Sequence, residues 1–347
     1  MESDLTPLVA PLLPAGQNLQ KIEKLFGEAS YREYFRVFTP GGQSHILMKL
    51  PPGKQSVSEE ITNYEGPKDE PPFLNVARYL AEQRLPVPQV LNADLPYGLI
   101  LLQDLGDKSL EKLLKNCNEP MRLFFYQQAV DLLLDLQETG ERHRDERCMA
   151  FHRSFDAHLL LWEFDHFLEY GIEDRFGISI PAEKKQEIQY WAGRLVDSIT
   201  DIPYGLTHRD FQSRNLMLYG YQFYMIDFQD ALLGPPQYDL VALLRDSYVD
   251  LPPQMVDSLI DYYLTQREKR KLFPMDPGAF RRHFFEITLQ RKLKDTGRFQ
   301  FIKTVKNNPN FLPYVPNSLK YVRDAFTRLP EYQPLQEKIA DFVPELR

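Results

Sequence analysis

Up to about residue 104 the chain is patterned mainly as short strands. Beyond that point its apolar residues recur mostly at helical spacing. No other feature limits the fold as much. Residues 21–26, 31–38 and 45–50 are short runs with strand-like composition. Gly27-Glu28-Ala29-Ser30 joins the first run to the second, and Gly41-Gly42 marks a hairpin turn before the third. Residues 51–72 are Pro-rich and acidic and read as a loop. Phe73, Val76, Ala77 and Leu80 share one helical face, which predicts a helix over 73–83 stopped by Pro86 and Pro88. Two further strands are predicted over 87–92 and 99–103. Helices follow over 109–115, 120–137, 155–170, 181–199, 238–250, 252–267, 277–306, 316–328 and 332–342, with the charge run 141–147 as a solvated connection. A β-like stretch over 222–226 interrupts them. A chain of 347 residues exceeds what one hydrophobic core usually organises. We expect an α+β molecule of two lobes, residues 1–104 and 105–347, divided at Asp104-Leu105-Gly106.

Bulk properties exclude several classes. The net charge of −8 argues against a general nucleic-acid binder while leaving room for a local phosphate pocket. Cys117 and Cys148 have no metal-site spacing, so free thiols in a reducing cytoplasmic setting are the simpler expectation, with one disulfide still open. No run has the length and apolarity of a membrane span. The first residues hold early acids and three prolines but no basic stretch, unlike a secretory signal. Nothing calls for an obligate protein partner.

The chemistry concentrates in His208-Arg209-Asp210-x4-Asn215, followed by Ile226-Asp227-Phe228. Phosphoryl transfer asks a protein for positioned phosphates, bound Mg²⁺ and an oriented hydroxyl. Asp210 is the candidate catalytic residue, able to orient an acceptor hydroxyl and take its proton. Asn215 and Asp227 offer the hard oxygens that Mg²⁺ prefers. Lys49, on the third strand, is the candidate cation for ATP phosphates, and the loop holding Ala29 and Ser30 is the candidate phosphate cover. A packing role is expected for His208. Asp239, at a predicted helix start, is expected to bond backbone amides of the catalytic loop. Phe211 and Phe228 are expected in the core.

With Asp230, Gly234-Pro235 and Asp239-Leu240 added, these motifs resemble the aminoglycoside phosphotransferase and choline kinase-like superfamily, over nearly the whole chain. The resemblance implies a bilobal protein kinase-like fold, with a small antiparallel sheet and one main helix ahead of a larger helical lobe. Finer motifs are similar to the bacterial anomeric kinases of N-acetylmuramate and N-acetylglucosamine. These are Ala29-Ser30-Tyr31-Arg32-x-Tyr34-Phe35-Arg36, Pro51-Pro52, Leu101-Leu102-x-Asp104-Leu105-Gly106, Trp162-Glu163-Phe164 and Gln290-Arg291-x-Leu293-Lys294-x2-Gly297. That resemblance implies ATP- and Mg²⁺-dependent phosphorylation of a sugar C1 hydroxyl in peptidoglycan recycling. It places ATP against Ala29, Ser30, Lys49 and the hinge residues Gln103, Asp104 and Leu105. The subgroup commonly has an acid before its Pro-Pro, where this chain has Lys49. The acidic partner of that lysine is sought near the first helix, among Glu65, Glu70 and Glu82.

Two residues are candidates for the acceptor. Glu163 lies at the edge of the apolar face of helix 155–170, either meeting sugar hydroxyls or joining surface salt bridges. Arg214 faces substrate or phosphate, or else anchors a carboxylate. Gln290, Arg291 and Lys294 close the cleft or tie helices together, with the tie preferred. Two other functions compete. An aminoglycoside- or choline-type kinase would draw on Glu163, Asp165, Glu169, Glu173 and Asp174 as an acidic cleft. A nucleotide-binding pseudokinase would retain the ligands without turnover.

Overall fold

The structure, a computed structural model, describes residues 5–25, 32–51 and 70–347. Strands β1 (Lys21–Leu25), β2 (Glu33–Phe38), β3 (Ser44–Lys49), β4 (Val90–Asp94) and β5 (Leu99–Gln103) form an antiparallel sheet in the order β1-β2-β3-β5-β4. Helix α1 (Pro72–Glu82) packs on one face. The chain then continues through α2 (Leu110–Leu114), α3 (Glu119–Arg142), α4 (Ala157–His166), a π-helix over Phe167–Asp174, and α5 (Ala182–Thr200). Four short strands follow: β6 (Gly205–Thr207), β7 (Leu216–Tyr219), β8 (Gln222–Met225) and β9 (Leu232–Gly234). Helices α6 (Gln237–Leu244), α7 (Pro253–Lys269), α8 (Pro277–Lys306), α9 (Val315–Arg328) and α10 (Gln333–Ala340) complete it.

Strand alternation sorts the sheet into two faces. Tyr34, Ile46, Met48, Ile100 and Leu102 face α1 and join the large core that continues into the helical region. Phe35, Val37, Leu47, Leu99 and Leu101 face the other way. They are covered by Val9, Leu12 and Leu13 from an N-terminal helical segment that sequence patterning presented only as mildly apolar. That cover explains why β5 is buried on both faces and reads as an unbroken apolar run.

Several elements end where local chemistry decides rather than periodicity. The strand expected over 87–92 starts at Val90, because Pro86 and Pro88 have no amide for the ladder. Helix α3 runs on to Arg142, taking in the start of the charge run through an Arg142–Glu138 pair of 2.7 Å. Helix α6 stops at Leu244 instead of 250. The Asp246 carboxylate accepts from the Tyr248 amide (3.0 Å) and from the distant Ser213 amide (2.9 Å), an arrangement that competes with helical bonding. The helix expected over 155–170 changes to π geometry at Phe167. There α8 approaches closely. A Cβ on Gly297 would lie 2.8 Å from the His166 carbonyl oxygen, and one on Gly171 would lie 2.5 Å from the Phe167 ring. Cys117 and Cys148 are free thiols.

Candidate active site

The catalytic segment lies between β6 and β7. The β7–β8 hairpin pairs Leu216 with Met225, and the Ile226 amide donates to the Asn215 carbonyl (3.0 Å). This register sets Asn215 beside the chain that leads directly into Asp227. Arg209 and Asp227 both hold left-handed backbone, with φ of 76° and 65°. Such a conformation costs a non-glycine residue roughly 1–3 kcal/mol and persists only where the surroundings enforce it. Asp239, fully buried on α6, supplies part of that enforcement by accepting from the amides of His208 (2.6 Å) and Arg209 (2.9 Å). The Asn215 side-chain amide donates to the Asp210 carbonyl (2.9 Å), and Ser213 is tied to Asp246. His208 is buried edge-on against Phe211, and its Nδ1 accepts from the Asp210 amide at 3.3 Å. Burial lowers its pKa to about 4, so the ring is neutral near pH 7.

The two acidic groups are held in different states. Burial acts to raise the Asp210 pKa. Arg291, Lys294 and Arg209 outweigh it and hold the carboxyl below its ordinary value. Arg291 donates to Asp210 Oδ1 at 3.2 Å and to the Arg209 carbonyl at 2.8 Å, while the Asp210 side chain stays 36% exposed. Asp227 is pushed up to about 6 by burial and then by Asp210, with Gln229 donating to it at 2.8 Å. A carboxylate destabilised by burial and a like charge, beside a side-chain amide, suits a divalent cation. Mg²⁺ is commonly held by one or two protein oxygens plus phosphates and water. Asn215 and Asp227 fit that role.

Lys49 does not meet this site. It lies one residue out of phase with Met48, on the sheet face of Leu47 and away from α1, where Glu33 pairs with it across the strands at 3.4 Å. Among the described residues, the acid beside it is Glu33. Glu70 pairs instead with Arg78 (2.7 Å) and Glu82 with Arg147 (3.2 Å), while Glu65 lies outside the described residues. The phase that carries Tyr34 toward the core carries Arg32 and Arg36 as well. Arg32 stands 3.9 Å from Asp227. Arg36 pairs with Asp104 (2.7 Å) and Asp107 (2.9 Å). Sequence reading passed over Arg32, although the alternation Arg32-x-Tyr34-x-Arg36 was visible. Ala29 and Ser30 lie outside the described residues. At the hinge, the Asp104 carboxylate also accepts from Ser44 (2.7 Å), so its side chain serves the sheet. Gln103 caps the Gln89 amide (3.3 Å), and Leu105 is buried.

The two acceptor candidates are likewise engaged. Glu163 is only 2% exposed, and its two oxygens accept from Arg209 (3.3 Å) and Gln290 (2.7 Å). It braces the catalytic loop from behind, in place of the cleft-wall or surface position expected of it. Arg214 lies 3.7 Å over the Tyr248 ring, bonds the Tyr314 hydroxyl (2.8 Å) and stands 3.6 Å from Glu111, which makes it an anchor. Arg291, placed by sequence as a helix tie, instead reaches the reacting end of the site.

The phosphotransferase enzyme family profile matches residues 21–273, and the chain belongs to that family. It is therefore an enzyme that transfers a phosphoryl group to a hydroxyl acceptor. It is 30% identical over 318 residues to an N-acetylmuramate/N-acetylglucosamine kinase of Neisseria meningitidis, covering 91% of this chain and 89% of the relative. A kinase of the same description from Pseudomonas aeruginosa is 29% identical, covering 90% and 86%. Among solved structures, a choline/ethanolamine kinase family protein from Mesorhizobium loti has a TM-score of 0.61 at 18% identity, covering 98% and 99% of the two chains. An aminoglycoside phosphotransferase solved with ADP has a TM-score of 0.57 at 13% identity, covering 94% and 99%. The protein kinase-like α+β fold expected from sequence is the fold observed.

Proposed function

We propose that the chain is an ATP- and Mg²⁺-dependent amino-sugar kinase acting on the C1 hydroxyl of N-acetylmuramate and N-acetylglucosamine. The observation that carries the reading is an ionised Asp210, gripped on one oxygen by Arg291 yet still accessible, next to the elevated carboxyl of Asp227. An ionised carboxylate can accept a hydrogen bond from the acceptor hydroxyl and take its proton as that oxygen attacks the γ-phosphorus. The bond to the bridging oxygen breaks and ADP leaves. Asn215 and Asp227 would hold the Mg²⁺, which supplies charge neutralisation at the phosphate oxygens. Arg32, a fixed planar cation beside Asp227, takes the phosphate-facing role that sequence gave to Lys49.

The choice of acceptor rests on the curated relatives, set beside the acidic residues that a cationic acceptor would need. Glu163 is spent on Arg209 and Gln290. Asp165 accepts from Gln189 (2.8 Å), Asp174 from Gln300 (2.7 Å), and Glu173 from the Ile180 amide (2.9 Å). Burial of Glu163 removes one of the five carboxylates a cationic acceptor would draw on, while Asp165 and Glu169 stay exposed, so the curated relatives carry the choice of acceptor. The test is ADP release measured in parallel with N-acetylmuramate, N-acetylglucosamine, glucosamine, kanamycin and choline, with the product located by phosphorus NMR. Turnover of the two N-acetyl sugars at C1, lost in Asp210→Asn, is expected. Turnover with kanamycin or choline alone overturns the acceptor. Nucleotide binding without turnover of any acceptor overturns the enzyme reading in favour of a pseudokinase.

A further inference from the structure

Beyond Asp210, helix α8 carries a basic row at the spacing of one face: Arg291, Lys294 and Arg298. Arg291 grips Asp210, and Lys294 stands 3.4 Å from the Tyr238 hydroxyl and 3.7 Å from Asp295. Arg298 lies 4.9 Å over the ring of Phe301. The row runs along the π-helix, where an aromatic group gathers around His166. Trp162 stacks on it with centroids 5.3 Å apart, Tyr170 lies at 4.7 Å, and Phe301 at 5.1 Å. The three aromatic neighbours are only half-buried, whereas His166 is 8% exposed. Its Nε2 has no hydrogen-bond partner. A buried polar nitrogen left unmatched is costly in a native fold and points to a ligand or an ordered water as its missing partner. Half-exposed rings around such a nitrogen, with cations at the rim, fit a sugar ring bearing an anionic substituent.

We propose that the surface between the π-helix and α8, centred on His166, is the subsite for the carboxylate-bearing arm of an acidic amino sugar, with Arg298 and Lys294 receiving the carboxylate. The inference rests on the amino-sugar kinase reading and deepens it. The sugar ring lies against the exposed parts of Trp162 and Tyr170, over the buried His166, and the reacting hydroxyl points back toward Asp210. On this arrangement N-acetylmuramate gains a charge-assisted contact that N-acetylglucosamine lacks.

The experiment compares kcat/KM for N-acetylmuramate and N-acetylglucosamine in the full chain and in Arg298→Gln and Arg298→Lys. The ratio of acidic to neutral sugar is expected to fall about 10–100-fold in Arg298→Gln, through KM for the acidic sugar, as for loss of a charge-assisted bond. Arg298→Lys recovers part of it. A readout independent of turnover is Trp162 fluorescence in a Trp191→Phe background. N-acetylmuramate is expected to change it saturably, and the methyl ester of that sugar is expected to bind about as weakly as N-acetylglucosamine. An unchanged ratio in Arg298→Gln, or an equal loss on both sugars, overturns the subsite and leaves the kinase reading standing. If the unmodified chain turns over neither amino sugar but phosphorylates another acceptor, the functional reading falls and takes the subsite with it.

Discussion

The sheet and the catalytic loop hold their charged groups by opposite means. On the outer face of the sheet, Lys24, Glu33 and Lys49 form a chain of ion pairs between neighbouring strands, with side chains 31–46% exposed. Such pairs are screened and contribute little. Around the catalytic loop, several backbone and side-chain groups are instead fixed by buried partners distant in sequence. Asp239, Asp246, Glu163 and Arg291 lie 30–82 residues from the atoms they bind. The difference teaches where rigidity is needed. On the proposed function, nucleotide enters and leaves at the sheet, whereas Asp210 meets one hydroxyl in one geometry.

The comparison can be broken at several points. The largest effect is expected from Asp210→Asn, which should lower kcat by about 10²–10⁴-fold, the usual worth of a positioned acid or base. Nucleotide affinity measured by calorimetry should stay within about two-fold. A comparable loss of affinity would place Asp210 among the nucleotide ligands and overturn its role. Asp239→Ala leaves two buried amides without an acceptor and releases the strained Arg209 backbone. Thermal unfolding should show a loss of about 3 kcal/mol or more. A neutral result would mean that the loop does not depend on its distant strut.

Acid should expose the same rigidity. His208 and His166 are each lowered to about 4 by burial, against an ordinary value of 6.5. A histidine buried neutral contributes its full stability above about pH 6.5 and loses it as pH falls toward 4. Unfolding free energy should therefore drop by on the order of 2–3 kcal/mol for each across that window. His208→Gln should flatten part of the slope. A slope identical to that of the parent chain would show that the ring is accessible to protons.

Smaller effects sharpen the sheet side. Arg32→Met should weaken ATP binding about ten-fold, while Lys49→Met changes it by less than about three-fold, the order opposite to that read from the motif. If Lys49→Met were the more damaging, the face assignment of β3 would be wrong in solution. Glu33→Gln should cost less than about 1 kcal/mol in thermal unfolding and leave ATP affinity in place, as befits an exposed pair.

Much of the fold was legible because its signals are local. The α8 boundaries at 277 and 306 follow from a helix-starting proline and continuous periodicity, and the sheet strands from their composition and the turn residues between them. Asp210, Asn215 and Asp227 were legible as a spaced motif, and the hairpin that unites the last two was visible as a β-like stretch. Lys49 was misplaced because a motif fixes the residue type but not the phase of the strand, and a shift of one residue turns a side chain to the other face. Glu163 and Arg291 exchanged expected roles for a similar reason. Periodicity gives a face, but which neighbour covers that face is decided by packing between segments more than 40 residues apart. The π-helix carries no periodic signature of its own. The close approach beside it, at glycines 171 and 297, involves two different elements.

That glycine notch has a consequence for redesign. Without a side chain at 297, α8 is seated directly against the backbone at His166 and Phe167, so the helix has little freedom to slide or roll. The same rod carries the guanidinium that grips Asp210 and, about one and two turns on, the cations proposed to read the acceptor. A substitution that shifts α8 bodily will therefore disturb Asp210 and the proposed acceptor cations together, whereas one confined to the Arg298 side chain leaves the helix seated. Side chains that do not touch Asp210, on the opposing π-helix wall or at Arg298, are the ones through which selectivity can be altered while the chemistry is left in place.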